Sequence, residues 1–153
     1  MFRSTRTAAV ALGSAVLVAT AALPAGATAA HTLPAKHRSP VVIGAVQADS
    51  PGHDDGSNRS LNAEWVAVKN TGRHAVNLAG WTLTSERTHT TYRFRHLRLN
   101  GHQEVRVRTG KGRDTWRDVH QGRHHYAWDN RRDTATLRND RRHEIDIKRW
   151  GRR

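Results

Sequence analysis

Apolar and polar residues alternate in short runs between residues 41 and 150, and clusters of Gly, Pro, Asn, Asp and Ser separate the runs. "VVIGAVQ", 41–47, is β-branched and predicts a first strand. "ADSPGHDDGSNRSLN", 48–62, has the composition of a loop. In "EWVAVKN" the two-residue period of a strand puts Val66 and Val68 with Glu64 on one face and Trp65 with Ala67 on the other. Apolar residues on both faces suit a strand inside a sandwich. "AVNL" points Val76 and Leu78 inward, Gly80 interrupts, and "WTLTS" resumes with Trp81 and Leu83. "TYRFRHLRL" sets Tyr92 and Phe94 against Arg93 and Arg95, "NG" at 100–101 signals a tight turn, and "EVRVRTG" sets Val105 and Val107 against Arg106 and Arg108.

Residues 111–125, "KGRDTWRDVHQGRHH", lack a clean period and predict a long surface loop. Beyond them "YAWDN", "DTATLRN" and "EIDIKRW" supply Tyr126, Trp128, Ala135, Leu137, Ile145 and Ile147 as further apolar positions. Helical spacing is nowhere sustained over three turns. The pattern predicts an all-β fold, a sandwich or barrel of eight or nine short strands.

The residues before 41 read differently. Residues 1–29 begin with Arg3 and Arg6, continue through the uncharged "VALGSAVLVATAAL" and end in "AGATAA". This order of basic, apolar and small residues predicts a secretory signal peptide cut after Ala29. The competing reading, a membrane anchor, is disfavoured because the run is short and rich in Ala, Gly and Thr. Residues 30–40 predict a flexible leader, 41–150 the folded domain and 151–153 a basic tail. The expectation is therefore a secreted, extracellular, monomeric protein with no membrane span. The chain has no cysteine, which excludes disulfides, thiol catalysis and cysteine-held zinc. Its stability must come from a packed core.

Charge adds a functional expectation. Lys and Arg number 26 against 13 acids, and only Lys36, Lys69, Lys111 and Lys148 are lysines. Such an excess attracts polyanions, meaning nucleic acid, anionic cell-wall polymer or acidic lipid surfaces. The alternative is that the charge only keeps the protein in solution, since it is spread along the chain rather than gathered in one block.

The strands, taken in order, resemble the lamin-tail domain in the form found in small secreted bacterial proteins. The match is carried by "EWVAVKNTG", "VNLAGWTL", "TYRF" followed by "LRLNGHQEVRVRTGKG", "YAWDNRRDTATLRND" and "IDIKRW", and it covers roughly residues 41–150. The resemblance implies an immunoglobulin-like β-sandwich. It implies a binding module for protein or nucleic acid, without catalytic residues of its own. Some small secreted members carry cysteines near the C-terminus, and this chain departs from them there. In this reading Trp65 and Trp81 are interior packing residues.

Three constellations remain as candidate chemistry. Arg93, Arg95, Arg106 and Arg108 form a guanidinium row if their two strands pair. Lys111, Arg113, Trp116 and Arg117 follow in the adjacent loop, with Trp116 placed to stack on a base or sugar. The same residues also fit an ordinary solvated face. Asp49, Asp54, Asp55 and Asn58, with Asn62 nearby, supply oxygen ligands for Ca²⁺ as a possible cofactor, although turn-forming residues explain the same composition. His120, His124 and His125 are candidates for Zn²⁺ or Cu²⁺. A hydrolase using Asp114, Asp118 and His120 is disfavoured, because Ser57, Ser60 and Ser85 lack a nucleophile motif and no Walker or zincin motif is present. The expectation is a non-catalytic module binding extracellular polyanions. The alternative is a protein-interaction or structural module at the cell surface with incidental charge.

Overall fold

The computed structural model describes residues 39–151. The predicted signal peptide, most of the leader and the last two residues of the basic tail lie outside the described residues. The fold is all-β, an immunoglobulin-like sandwich. Among the described residues ten strands appear in chain order, β1 (Val41–Gln47), β2 (Trp65–Asn70), β3 (Val76–Asn77), β4 (Thr82–Ser85), β5 (Thr91–Arg93), β6 (Arg98–Leu99), β7 (Glu104–Arg108), β8 (Asp118–His120), β9 (Asp133–Arg138) and β10 (Glu144–Trp150). One sheet runs β1-β2-β7-β8 and the other β10-β9-β4-β5, with β3 and β6 forming a small ribbon. Pairing is antiparallel throughout except between β7 and β8.

Alternation built the core. Val66 and Val68 on β2, Val105 and Val107 on β7, and Leu83, Ala135 and Leu137 on the facing sheet are at most 1% exposed. Trp81, Phe94, Leu99 and Trp128 belong to the same buried cluster. Trp128 meets Trp150 edge to face at 5.6 Å, and Tyr92 meets Phe94 at 5.0 Å. Trp81 is interior as expected. Trp65 is not. It lies half-buried on the outer face of β2, under the Arg106 guanidinium at 4.6 Å from the ring centroid.

Other departures have local causes. A single-turn helix, α1 (Asn58–Ala63), sits inside the predicted 48–62 loop. Ser57 caps it by accepting from the Ser60 amide at 3.2 Å, and only Ser60 and Leu61 turn inward. Six residues are too few for a helical period to show in the sequence. The segment "TYRFRHLRL" is two strands in two sheets, because the chain leaves β5 at Phe94 and reaches the ribbon only at Arg98. β8 lies in the predicted surface loop and "YAW" is not a strand.

The two open sides of the sandwich are finished differently. On one side β1 carries a bulge between Ile43 and Val46, and β10 lies alongside it. There Asp146 Oδ2 accepts from the Ile43 amide at 2.7 Å, and Lys148 Nζ donates to the Gly44 carbonyl at 2.6 Å. Side chains thus satisfy backbone groups that an edge strand would otherwise offer to another chain. On the other side the short strands β5 and β8 end the two sheets, and a cleft opens between them and the 111–123 segment.

One fully buried carboxylate braces the structure. Glu64, just before β2, is 0% exposed and accepts from the Ala127 and Trp128 amides, both at 2.9 Å. Burial pushes its pKa up to about 7, against the lowering effect of those hydrogen bonds. Asn70, also fully buried, donates to the carbonyls of His74, Leu99 and Asn100 and accepts from the Gly72 amide. No helix among the described residues is long and apolar enough to cross a membrane.

Candidate functional site

The cleft between β5 and the 111–123 segment has a volume of about 1100 Å³. Arg95, His96, Lys111, Trp116, His120 and Arg123 are among its lining residues. The segment that forms its far wall is irregular but well tied. Asn58 and Asn62 of α1 both donate to the Lys111 carbonyl, at 3.0 and 2.7 Å, and Asn58 Oδ1 accepts from the Lys111 amide at 2.7 Å. This clasp needs Gly110, where an added Cβ would lie 2.7 Å from both side-chain oxygens. Farther on, the Thr115 hydroxyl accepts from the amides of Arg117 and Asp118, forming a turn. Gln103 Nε2 holds the Trp116 carbonyl at 2.9 Å.

Within the cleft, Asp114 Oδ1 accepts from the His120 amide at 2.8 Å and stands 3.2 Å from His120 Nδ1. The imidazole packs on Gly112, where any side chain would displace it. Asp114 is the one acid among the lining residues. Arg123 Nη2 reaches across to the Thr91 carbonyl at 2.9 Å. Tyr92 lines the same cleft, and its phenol is pushed up to about 12, by burial first and then by Asp114. Trp116 is 59% exposed. The Arg117 guanidinium lies over its ring at 4.3 Å from the centroid. Trp116 also lines a second, smaller cleft of about 470 Å³ with Arg106 and Arg117.

The predicted guanidinium row is therefore not one row. β5 and β7 belong to different sheets and do not pair, so Arg93 and Arg95 are separated from Arg106 and Arg108. Arg95, Lys111 and Trp116 come together in the larger cleft, and Arg93 joins its rim with its guanidinium near Gly80. Arg106 and Arg117 face the smaller cleft, and Arg113 is exposed but lines neither. Arg108 is half-buried and engaged, its Nε 2.6 Å from Asp118 Oδ1 and its Nη1 2.6 Å from the Asn62 carbonyl. It holds α1 and β8 to β7. Arg123 and His96 are cleft residues that sequence reasoning missed, because no apolar period marked their segments as facing one another.

The acidic loop has other occupations. Asp49 and Asp54 share the Asn130 amide at 3.0 and 2.9 Å, and Asp55 accepts from the Ser57 amide at 2.8 Å. The hydrogen bonds from Ser57 hold the Asp55 carboxyl below the usual carboxylate range. Asn58 is spent on Lys111. Among the described residues no three His, Asp or Glu side chains gather as a metal-ligand set, so neither Asp49, Asp54 and Asp55 nor His120, His124 and His125 form such a group. Of the three serines, Ser57 caps α1, Ser60 meets the Tyr126 hydroxyl and Ser85 donates to buried Asp133. None is hydrogen-bonded to a histidine.

No curated protein matches the chain. The lamin-tail family is one of immunoglobulin-like, non-catalytic domains. With two four-stranded sheets packed on a single core, and with residues 34–152 matching the family model described as the Lamin Tail Domain, this chain belongs to the lamin-tail family.

Proposed function

We propose that the protein is a secreted binding module that attaches electrostatically to extracellular polyanions through the cleft beside β5. The observation that carries this reading is the convergence of Arg95, Lys111 and Arg123 with exposed Trp116, where the one lining acid is already occupied by His120. Cations on a fixed frame gain from releasing the counterions of a phosphate polymer, and this gain falls steeply with salt. Without Arg3 and Arg6 of the signal segment, 24 basic residues stand against 13 acids, and this excess of +11 extends the attraction beyond the cleft. Secretion is supported by the order of basic, apolar and small residues in 1–29. No catalytic step is needed for this role.

The test is a salt-gradient retention experiment on immobilised DNA, on purified anionic wall polymer and on a neutral polymer. Retention is expected on both polyanions at low ionic strength, with release as salt rises, and none on the neutral matrix. Flow-through on both polyanions at low ionic strength refutes the proposal and leaves a protein-interaction module whose charge is incidental.

A further inference from the structure

The most unusual surface residue is Trp116, the one exposed large apolar side chain among the described residues. A tryptophan left in water forgoes the stabilisation that burying its ring would give. The four other tryptophans are buried or half-buried. Its exposure does not come from a loose tether, because the Thr115 turn and the Gln103 bond to its carbonyl fix the backbone on both sides. Arg117 covers part of the ring, and the indole stands between the two clefts, with Arg95, Lys111 and Arg123 on one side and Arg106 and Arg117 on the other, where Glu104 also lines the wall and Asp118 is held by Arg108.

From this placement we infer that the paired clefts form a track for single-stranded nucleic acid, with one base stacked on Trp116 and the flanking phosphates received by the cations on either side. The inference rests on the polyanion-binding reading and narrows it. A duplex keeps its bases inside the stack and presents no free face to an indole, while its phosphates match the charge equally well. Inorganic polyphosphate and a glycerol-phosphate wall polymer carry charge without an aromatic face. Only an unpaired strand supplies both, and base stacking on an aromatic platform is largely indifferent to sequence. The fixed backbone around Trp116 means little ordering is required on binding.

The experiment measures binding of the purified chain to a fluorescent oligothymidylate at one fixed salt concentration. A duplex of the same length, inorganic polyphosphate and glycerol-phosphate teichoic acid serve as competitors. The oligothymidylate is expected to bind tightest. Trp116→Ala is expected to weaken it by about 5-fold to about 150-fold, while polyphosphate binding changes by less than about 2-fold and Trp116→Tyr recovers most of the loss. The variant should melt with the wild-type protein, since the ring is largely exposed. Equal losses on oligonucleotide and polyphosphate, or a Trp116→Ala protein that melts far below wild type, overturn the inference by making Trp116 structural. Tighter binding of the duplex or of teichoic acid overturns it while leaving polyanion binding intact. Absence of binding to all four at low salt removes the underlying reading as well.

Discussion

Glu64 offers the sharpest test of how this fold is held. Its carboxylate is buried completely and receives two backbone N–H groups, so two opposing effects meet on one side chain. The hydrogen bonds favour the charged form and desolvation disfavours it, and desolvation wins, raising the pKa from 4.5 to about 7. Between those values the folded protein binds a proton that the unfolded chain has released. Stability from this group is therefore highest below the unfolded value, declines as pH rises through the window, and is lowest above the folded value. At 1.36 kcal/mol per pH unit, the interval corresponds to about 3 kcal/mol at most. Glu64→Gln removes the titration but turns an amide N–H₂ towards one of the two backbone donors, at a cost of about 1–3 kcal/mol. Urea unfolding of both proteins at pH 5 and pH 8 separates these effects, because the histidines titrate in both and cancel in the difference. The wild-type advantage over Glu64→Gln should shrink from pH 5 to pH 8 by up to about 3 kcal/mol. An advantage that is constant, or that grows with pH, refutes the reasoning and shows that the two N–H groups balance or outweigh burial.

Three further outcomes follow from the packing and the cleft. Leu137→Ala, in β9 at the centre of the core, should lower the unfolding free energy in urea by about 2–5 kcal/mol, since the cavity is enclosed by both sheets. Gly110→Ala should break the Asn58–Asn62 clasp on Lys111, seen as faster amide exchange at Lys111 with little change elsewhere. Lys111→Ala and Arg108→Ala should differ in kind. The first is expected to reduce the salt slope of polyanion binding by about 0.7–0.9 with an unchanged melting temperature. The second is expected to lower the melting temperature, because Arg108 ties Asp118 and the Asn62 carbonyl to β7.

Much of this was legible in the sequence, and the boundary is physical. Where a strand has one face in the core, alternation reveals it, as at Val66 and Val68 or Val105 and Val107. β8 shows a single inward residue, Val119, and owes its position to hydrogen bonds that its own amides donate to the Thr115 hydroxyl and the Asp114 carboxylate, which leave no period. Trp65 was misplaced because alternation says which residues share a face and not which face is interior. The arginine row failed for a related reason. Outward residues on β5 and β7 were identified correctly, but which strands pair is decided by the crossing of the chain between sheets near Phe94. That crossing depends on long-range packing. That Trp116 stands in an arginine-rich stretch was legible, whereas the facing Arg123 and the Asn58–Asn62 clasp were not, since both are contacts between distant segments.

The bracing of β1 by β10 also bears on how the domain would carry load. Asp146 meets Ile43 and Lys148 meets Gly44, so the two strands run in the same direction, and Val41 and Trp150 emerge at opposite ends. Tension applied through both flanks would slide these strands lengthwise past their partners instead of peeling them away one residue at a time. Every rung of the β1–β2 and β9–β10 ladders would then share the strain at once.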